Sequence, residues 1–227
     1  MDPALRTGGG GPSQSTLLTP ADPRWPETWT RMEDPPDSVS VTGDPALLRH
    51  SAVAIVGTRR ATPRCLALAR GLAGELAARG WLVVSGLALG IDGAAHRGAL
   101  EAGGATVAVM ATGADLTYPS AHRALRRRID ASGCCVTEFA AGTPPLKHHF
   151  PNRNRLIAGL AQAVVVVEAP RRSGALLTAL LAVDYNREVF AVPGPVDLDT
   201  SRGCHYLLRD GAHLVETPED ITRVLGE

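Results

Sequence analysis

Nine consecutive residues hold the densest chemistry in the sequence: Lys147, His148, His149, Phe150, Pro151, Asn152, Arg153, Asn154 and Arg155. Lys147 is the one lysine among 23 Lys and Arg residues, and Phe150 is one of three phenylalanines. Gly142, Thr143, Pro144 and Pro145 just upstream read as loop, and Leu156 to Leu160 downstream as a short helix. Cations, side-chain amides and a ring on a loop that opens a helix suit a target with negative charge and flat faces. Single-stranded nucleic acid has both. Standing alone, such a run is more often a solvated basic surface.

Four other loops bear on that choice. Gly57-Thr58-Arg59-Arg60 follows the apolar run Val53 to Val56. A glycine there lets backbone approach a phosphate, Thr58 offers a hydroxyl, and arginine offers a fork that fits phosphate oxygens. Arg171-Arg172-Ser173-Gly174 follows the β-branched run Val164 to Val167, and its serine and glycine open a helix whose first amides can face an anion. Ser85-Gly86 and Thr112-Gly113 also follow apolar runs. Each could equally be a plain turn or a helix cap. Asp92 and His96 lie four apart on one helical face. They read as hydrogen-bonding each other or the neighbouring loop, because no third metal ligand accompanies them.

Several chemistries have no signature here. No Gly-x-Gly-x-x-Gly and no Gly-Lys-Ser/Thr follows a strand, so neither a dinucleotide site nor a phosphate-hydrolysing loop is expected. No serine elbow or paired-carboxylate constellation occurs. Glu138 and Glu168, at strand ends, read as groups that orient arginines. No catalytic residue, cofactor or metal is expected.

These residues need a scaffold. Short apolar runs at residues 53–56, 81–84, 106–110, 134–137, 164–167 and 189–192 alternate with helical patterns. Thr62-Pro63, Ser120, Ser173 and Thr217-Pro218 supply helix starts. The pattern predicts an α/β fold, an open and mostly parallel sheet with helices on both faces. Ligands in such sheets bind beyond the carboxyl ends of the strands. All five loops are therefore expected along one edge.

The chain has 227 residues and zero formal net charge, so no global field draws in a polyanion. Residues 1–20, with a glycine run, read as a flexible leader. Residues 21–50 read as an arm that packs Trp25 and Trp29 on the core, and 51–227 as the main domain. The four cysteines form no Cys-x-x-Cys pair, no run is long enough to span a membrane, and no apolar signal core opens the chain. A cytoplasmic protein is expected.

The motifs together resemble those of the DprA (Smf) family. They are Val56-Gly57-Thr58-Arg59; Ser85-Gly86-Leu87-Ala88-Leu89-Gly90-Ile91-Asp92 with Ala95-His96; Gly113 with Tyr118-Pro119; Phe150-Pro151 through Arg155 to Leu160; Glu168-Ala169 with Ser173 to Ala179; and Val192-Pro193-Gly194. The resemblance implies a Rossmann-like core that binds single-stranded DNA, loads the RecA recombinase in natural transformation and recombination, forms a homodimer and is not an enzyme. It implies a DNA site at Gly57, Thr58, Arg59, Arg60, Ser85, Gly86, Lys147, Phe150, Asn152, Arg153, Asn154, Arg155, Ser173 and Gly174. Lys147 and Arg59 would hold phosphates and Phe150 would stand against a base. It places a dimer contact near Tyr206, Leu207 and Leu208, although Cys204-His205 replaces the usual pair there. Asn186 stands where a turn glycine is usual. The sequence is too short to include the family's sterile-alpha-motif-like and winged-helix-like domains. The alternative is a nucleotide-binding or nucleotide-hydrolysing protein of the related phosphoribohydrolase-like fold. Against it, the stretch from Ser173 to Thr178 carries no carboxylate.

Overall fold

The computed structural model describes residues 15–226. Its strands are β1 (Thr16–Leu18), β2 (Val39–Gly43), β3 (Ala52–Val56), β4 (Leu82–Ser85), β5 (Thr106–Val109), β6 (Cys134–Thr137), β7 (Ala163–Val166), β8 (Glu188–Ala191) and β9 (His213–Leu214). Its α-helices are α1 (Glu27–Thr30), α2 (Pro63–Ala78), α3 (Ile91–Glu101), α4 (Arg123–Ser132), α5 (His149–Leu160), α6 (Gly174–Asp184), α7 (Arg202–Arg209) and α8 (Pro218–Leu225).

The strands form one sheet in the order β1-β2-β6-β5-β4-β3-β7-β8-β9. From β6 to β9 every neighbouring pair is parallel, and β1 and β2 add an antiparallel edge. The expected mostly parallel α/β sheet is what the chain forms. Alternate residues of β3 serve opposite layers. Val53 and Ile55 pack with Leu72 and Leu76 of α2, Ile91 of α3 and Ile221 of α8. Ala54 and Val56 pack with Leu156 and Ile157 of α5, Leu176 of α6 and Leu207 of α7. A central strand buried on both faces therefore reads as continuously apolar.

The chain runs outward from β3 through β4 and β5 to β6, then returns to place β7 on the other side of β3. The β3–β7 pair is thus the topological switch point, where the connections diverge to opposite faces and leave a crevice. Thr62 and Ser173 cap the two helices that leave it, accepting from the amides of Cys65 and Leu176.

Two boundaries differ from expectation. The leader expected over residues 1–20 falls partly on residues 1–14, outside the described residues, but Thr16–Leu18 is a strand with Leu18 fully buried. Its pairing with β2 supplies partners that a short isolated apolar run does not reveal. The helix expected from Leu156 begins instead at His149. Pro151 misled: in the first turn its missing N–H costs no helical bond, so proline there starts a helix rather than delaying it.

Ahead of the central sheet, Trp25 and Trp29 lie edge to face with ring centroids 5.3 Å apart, both buried in the layer of α5. Trp29 donates its indole N–H to the Leu156 carbonyl at 3.2 Å.

Candidate nucleic-acid interface

A cleft of about 320 Å³ opens at the switch point. One wall is Gly57 to Arg60 after β3, and the other is Ser173 to Ala175 at the start of α6. Phe150, Arg153 and Asn154 of α5 join them, with Asp92 and Thr178. The sequence brought most of these together on one rule, that loops following parallel strands share an edge.

At the mouth, the Arg59 guanidinium lies over the Phe150 ring, 4.8 Å from its centroid. Tyr118 tilts against the same ring, centroids 5.7 Å apart, and is 44% exposed. Arg60, Arg171, Arg172 and Gly174 are exposed nearby in the two loops. In α6 the amides of Gly174 and Ala175 lie in the first helical turn and lack intrahelical acceptors, which leaves donors toward the cleft.

Thr58 is expected to offer its hydroxyl. Its N–H is already given to the Glu168 carbonyl at 2.7 Å, so only the hydroxyl remains for a ligand. Gly57 has a packing reason for its identity. A Cβ there would meet the Ile91 side chain and would lie 2.8 Å from the Glu168 carbonyl oxygen. The loop sits on the start of α3 too closely for any side chain.

Glu168 does not orient an arginine. It is buried, accepts from the Thr62 amide and hydroxyl through one oxygen, and from the Thr200 hydroxyl through the other. It thereby ties the start of α2 to the segment after β8. Glu138 does hold an arginine: it pairs with Arg155, which also reaches Asp34 at 3.3 Å.

Asp92 and His96 serve the Ser85–Gly90 loop. Asp92 accepts from the Gly86 amide at 3.1 Å and the Ala88 amide at 3.4 Å. His96 Nε2 accepts from the Leu87 amide, and Nδ1 donates to the Thr106 hydroxyl, which donates on to the Val83 carbonyl. That chain fixes a neutral ring, and burial pulls the His96 pKa down to about 3. These bonds hold Leu87 at φ +57°, a left-handed backbone that a branched side chain rarely adopts. Burial raises the Asp92 carboxyl above its usual range, against the pull of the Arg153 charge.

Several expected contacts are corrected. Ser85 is fully buried and donates to the Ile55 carbonyl at 2.7 Å, so it does not face the cleft. Arg153 is only 4% exposed; it donates to the Val109 carbonyl and lies under Gly86, where a Cβ would strike its guanidinium. It forms the cleft floor rather than a rim, and burial lowers its pKa to about 10, leaving it charged at neutral pH. Arg155 is neutralised by its two carboxylates and turned away. Asn154 donates to the Gly174 carbonyl at 3.1 Å and so ties α5 to the Ser173–Ala175 wall. Helical geometry explains the sorting: consecutive residues of a helix point about 100° apart, so Arg153, Asn154 and Arg155 cannot share one face. Lys147 and Asn152 are exposed but are not among the residues that line the cleft. At the proposed dimer contact, Leu207 is buried in the core and cannot meet a partner. Tyr206 is half-buried beneath Arg171, 5.1 Å from ring to guanidinium.

Tyr118 was visible in the sequence only as part of a motif. Its place in the loop after β5, on the same edge as the others, was the signal for a second exposed ring beside Phe150.

The sequence pattern of the DNA recombination-mediator protein A family matches residues 16–226. The chain belongs to that family. A DprA relative from Mycobacterium tuberculosis is 53% identical over 175 residues, covering 77% of this chain and 45% of that protein. The crystal structure of DprA from Streptococcus pneumoniae superposes with a TM-score of 0.86 at 38% identity, covering 93% of this chain and 75% of that one. DprA from Helicobacter pylori, described for its single-stranded DNA binding mode, superposes with a TM-score of 0.85 at 31% identity, covering 93% and 95%. The chain spans about half the length of the first curated DprA and Smf relatives it matches. Among the described residues no helix is long and apolar enough to cross a membrane.

Proposed function

We propose that this chain binds single-stranded DNA in the β3–β7 cleft, as a non-enzymatic cytoplasmic mediator that protects incoming strands and hands them to the RecA recombinase. The observation that carries the reading is Arg59 poised over Phe150 at the cleft mouth. A base can stack on a ring of this kind while the adjacent cation takes the neighbouring phosphate. Family membership supports it, as does the single-stranded DNA binding of the Helicobacter pylori relative. Gly57, Thr58, Arg59, Arg60, Phe150, Asn154, Ser173 and Gly174 form the binding surface, with Lys147 and Asn152 at its margin. The protein works as a homodimer, with Tyr206 and Leu208 near the contact.

Hydrolysis of a nucleotide is disfavoured by the state of the cleft's carboxylate. Asp92 spends one oxygen on two loop amides and lies beside the Arg153 charge, so it serves to hold the loop rather than to act as a base. The test is a comparison of oligo-dT with duplex of equal length by fluorescence anisotropy, for the wild type and an Arg59→Ala/Phe150→Ala variant. Strand preference lost in the variant is expected. Equal affinity of both proteins for oligo-dT, or base release from nucleoside monophosphates, would end this reading.

A further inference from the structure

The cleft leaves one feature of the surface unused. Helix α4 presents Arg123, Arg127 and Arg128 to solvent, while Arg126 turns inward and is held by Asp130, Thr42 and the Ala114 carbonyl. In a chain of zero net charge, three outward arginines on one helix stand out. Arg70, Arg79 and Arg223 are exposed too but have carboxylate partners, whereas Arg60, Arg171 and Arg172 beside the cleft, like Arg64 and Arg209, form no ion pair among the described residues. No carboxylate lies within ion-pair distance of Arg123, Arg127 or Arg128 among the described residues. Arg123 and Arg127 are one turn apart on the same face, about 6 Å along the axis.

The path from the cleft to this helix is short. Tyr118 and Pro119 line a small hollow with Phe150, Arg59 and Leu89, and Leu89 is 45% exposed. Residues Ser120–His122 make a single tight turn, and Arg123 follows directly. His122 anchors that turn by bonding the Leu87 carbonyl at 3.0 Å, inside the loop held by Asp92 and His96. Arg97 of α3 lies against Gly93 beside the His122 ring, adding a cation at the start of α4.

We infer that the α4 arginine face, reached across Tyr118, is a second contact site for a continuous single strand whose first nucleotides occupy the cleft. This rests on the binding proposed above and extends it. The chemistry changes along the path: ring and cation together at Phe150, a second exposed ring at Tyr118, then phosphate contacts alone on α4. Such a track grips length rather than sequence, because phosphates carry no sequence information.

The experiment compares two oligo-dT lengths, one just long enough to fill the cleft and one several times longer. Arg123→Ala/Arg127→Ala is tested against the wild type at several salt concentrations. Both residues are exposed and alanine favours helix, so the variant keeps its fold. The expected result is an affinity loss on the order of tenfold for the long oligonucleotide, with a salt slope shallower by about 1.4, two phosphates at about 0.7 each. The short oligonucleotide should bind both proteins alike. Unchanged affinity for the long strand would overturn the inference while leaving the cleft reading intact. Equal losses at both lengths would overturn it too, by placing these arginines at the cleft itself. A loss confined to duplex DNA would reassign the face to a different ligand. A wild type that binds neither length would remove the cleft reading and this one with it.

Discussion

The Arg59 guanidinium and the Phe150 ring are in face contact, 4.8 Å from carbon to centroid, although the residues follow different strands, β3 and β6, and lead into helices on opposite faces of the sheet. The pair sets one expectation with two separable parts. Phe150→Ala should weaken oligo-dT binding by about 1–3 kcal/mol with the salt slope nearly unchanged. Arg59→Ala should weaken it and flatten the slope by about 0.7. Because the groups touch, the double variant should deviate from additivity. Anisotropy titrations over a salt series measure all three quantities; full affinity in Phe150→Ala would remove the stacking role.

Lys147 is a margin residue, exposed on the turn ahead of α5 and outside the cleft lining. Lys147→Ala should cost less than Arg59→Ala and flatten the salt slope by no more than about 0.7. The same titrations decide it, and an unchanged slope would mean that this ammonium meets no phosphate.

Arg155 should matter to stability and not to binding. Its side chain and that of Glu138 are 17% and 18% exposed, so removing one leaves the other largely buried and unpaired. Arg155→Ala should lower unfolding free energy by about 2–3 kcal/mol, since breaking a buried pair costs several kcal/mol and this one is partly wet. Urea denaturation reads the loss. A specific fall in DNA affinity without a shift in the urea midpoint would return Arg155 to the interface.

His96 predicts a pH dependence. Burial lowers its folded pKa to about 3 from the ordinary value of 6.5. Below about 6.5 the unfolded chain takes up a proton that the folded protein refuses, so this residue's contribution falls as pH drops from about 6.5 toward about 3. The full slope for one group is about 1.4 kcal/mol per pH unit. Asp92, shifted upward, works in the opposite sense in acid, so the comparison is between wild type and His96→Gln. The variant should be less stable at neutral pH and lose less stability on acidification. Parallel curves for the two proteins would show that His96 is not held neutral.

The sequence was legible where one rule decided position. The β-branched run at β7 and the alternation of strands with capped helices gave the sheet, and the carboxyl-edge rule put residues 57–60, 150 and 173–174 together. It was not legible where neighbours in sequence separate in space. Arg153, Asn154 and Arg155 read as one basic cluster, yet the helix sends them to a carbonyl beneath the loop, to the Ser173–Ala175 wall and to a carboxylate. Glu168 was ambiguous for a related reason: its partners Thr62 and Thr200 lie 106 and 32 residues away and carry no signal of their pairing.

The indole of Trp29 bonds a carbonyl in the middle of α5, the helix that carries Phe150, and Met32 presses its sulfur against Gly159 of the same helix. The early segment therefore acts as a wedge under the ring-bearing element. A fragment trimmed to begin near Ser51 would keep every residue proposed to touch DNA and still strip the flank of α5 of its indole and thioether. Weak binding by such a fragment would measure a displaced helix, and the full chain is the proper subject for every titration above.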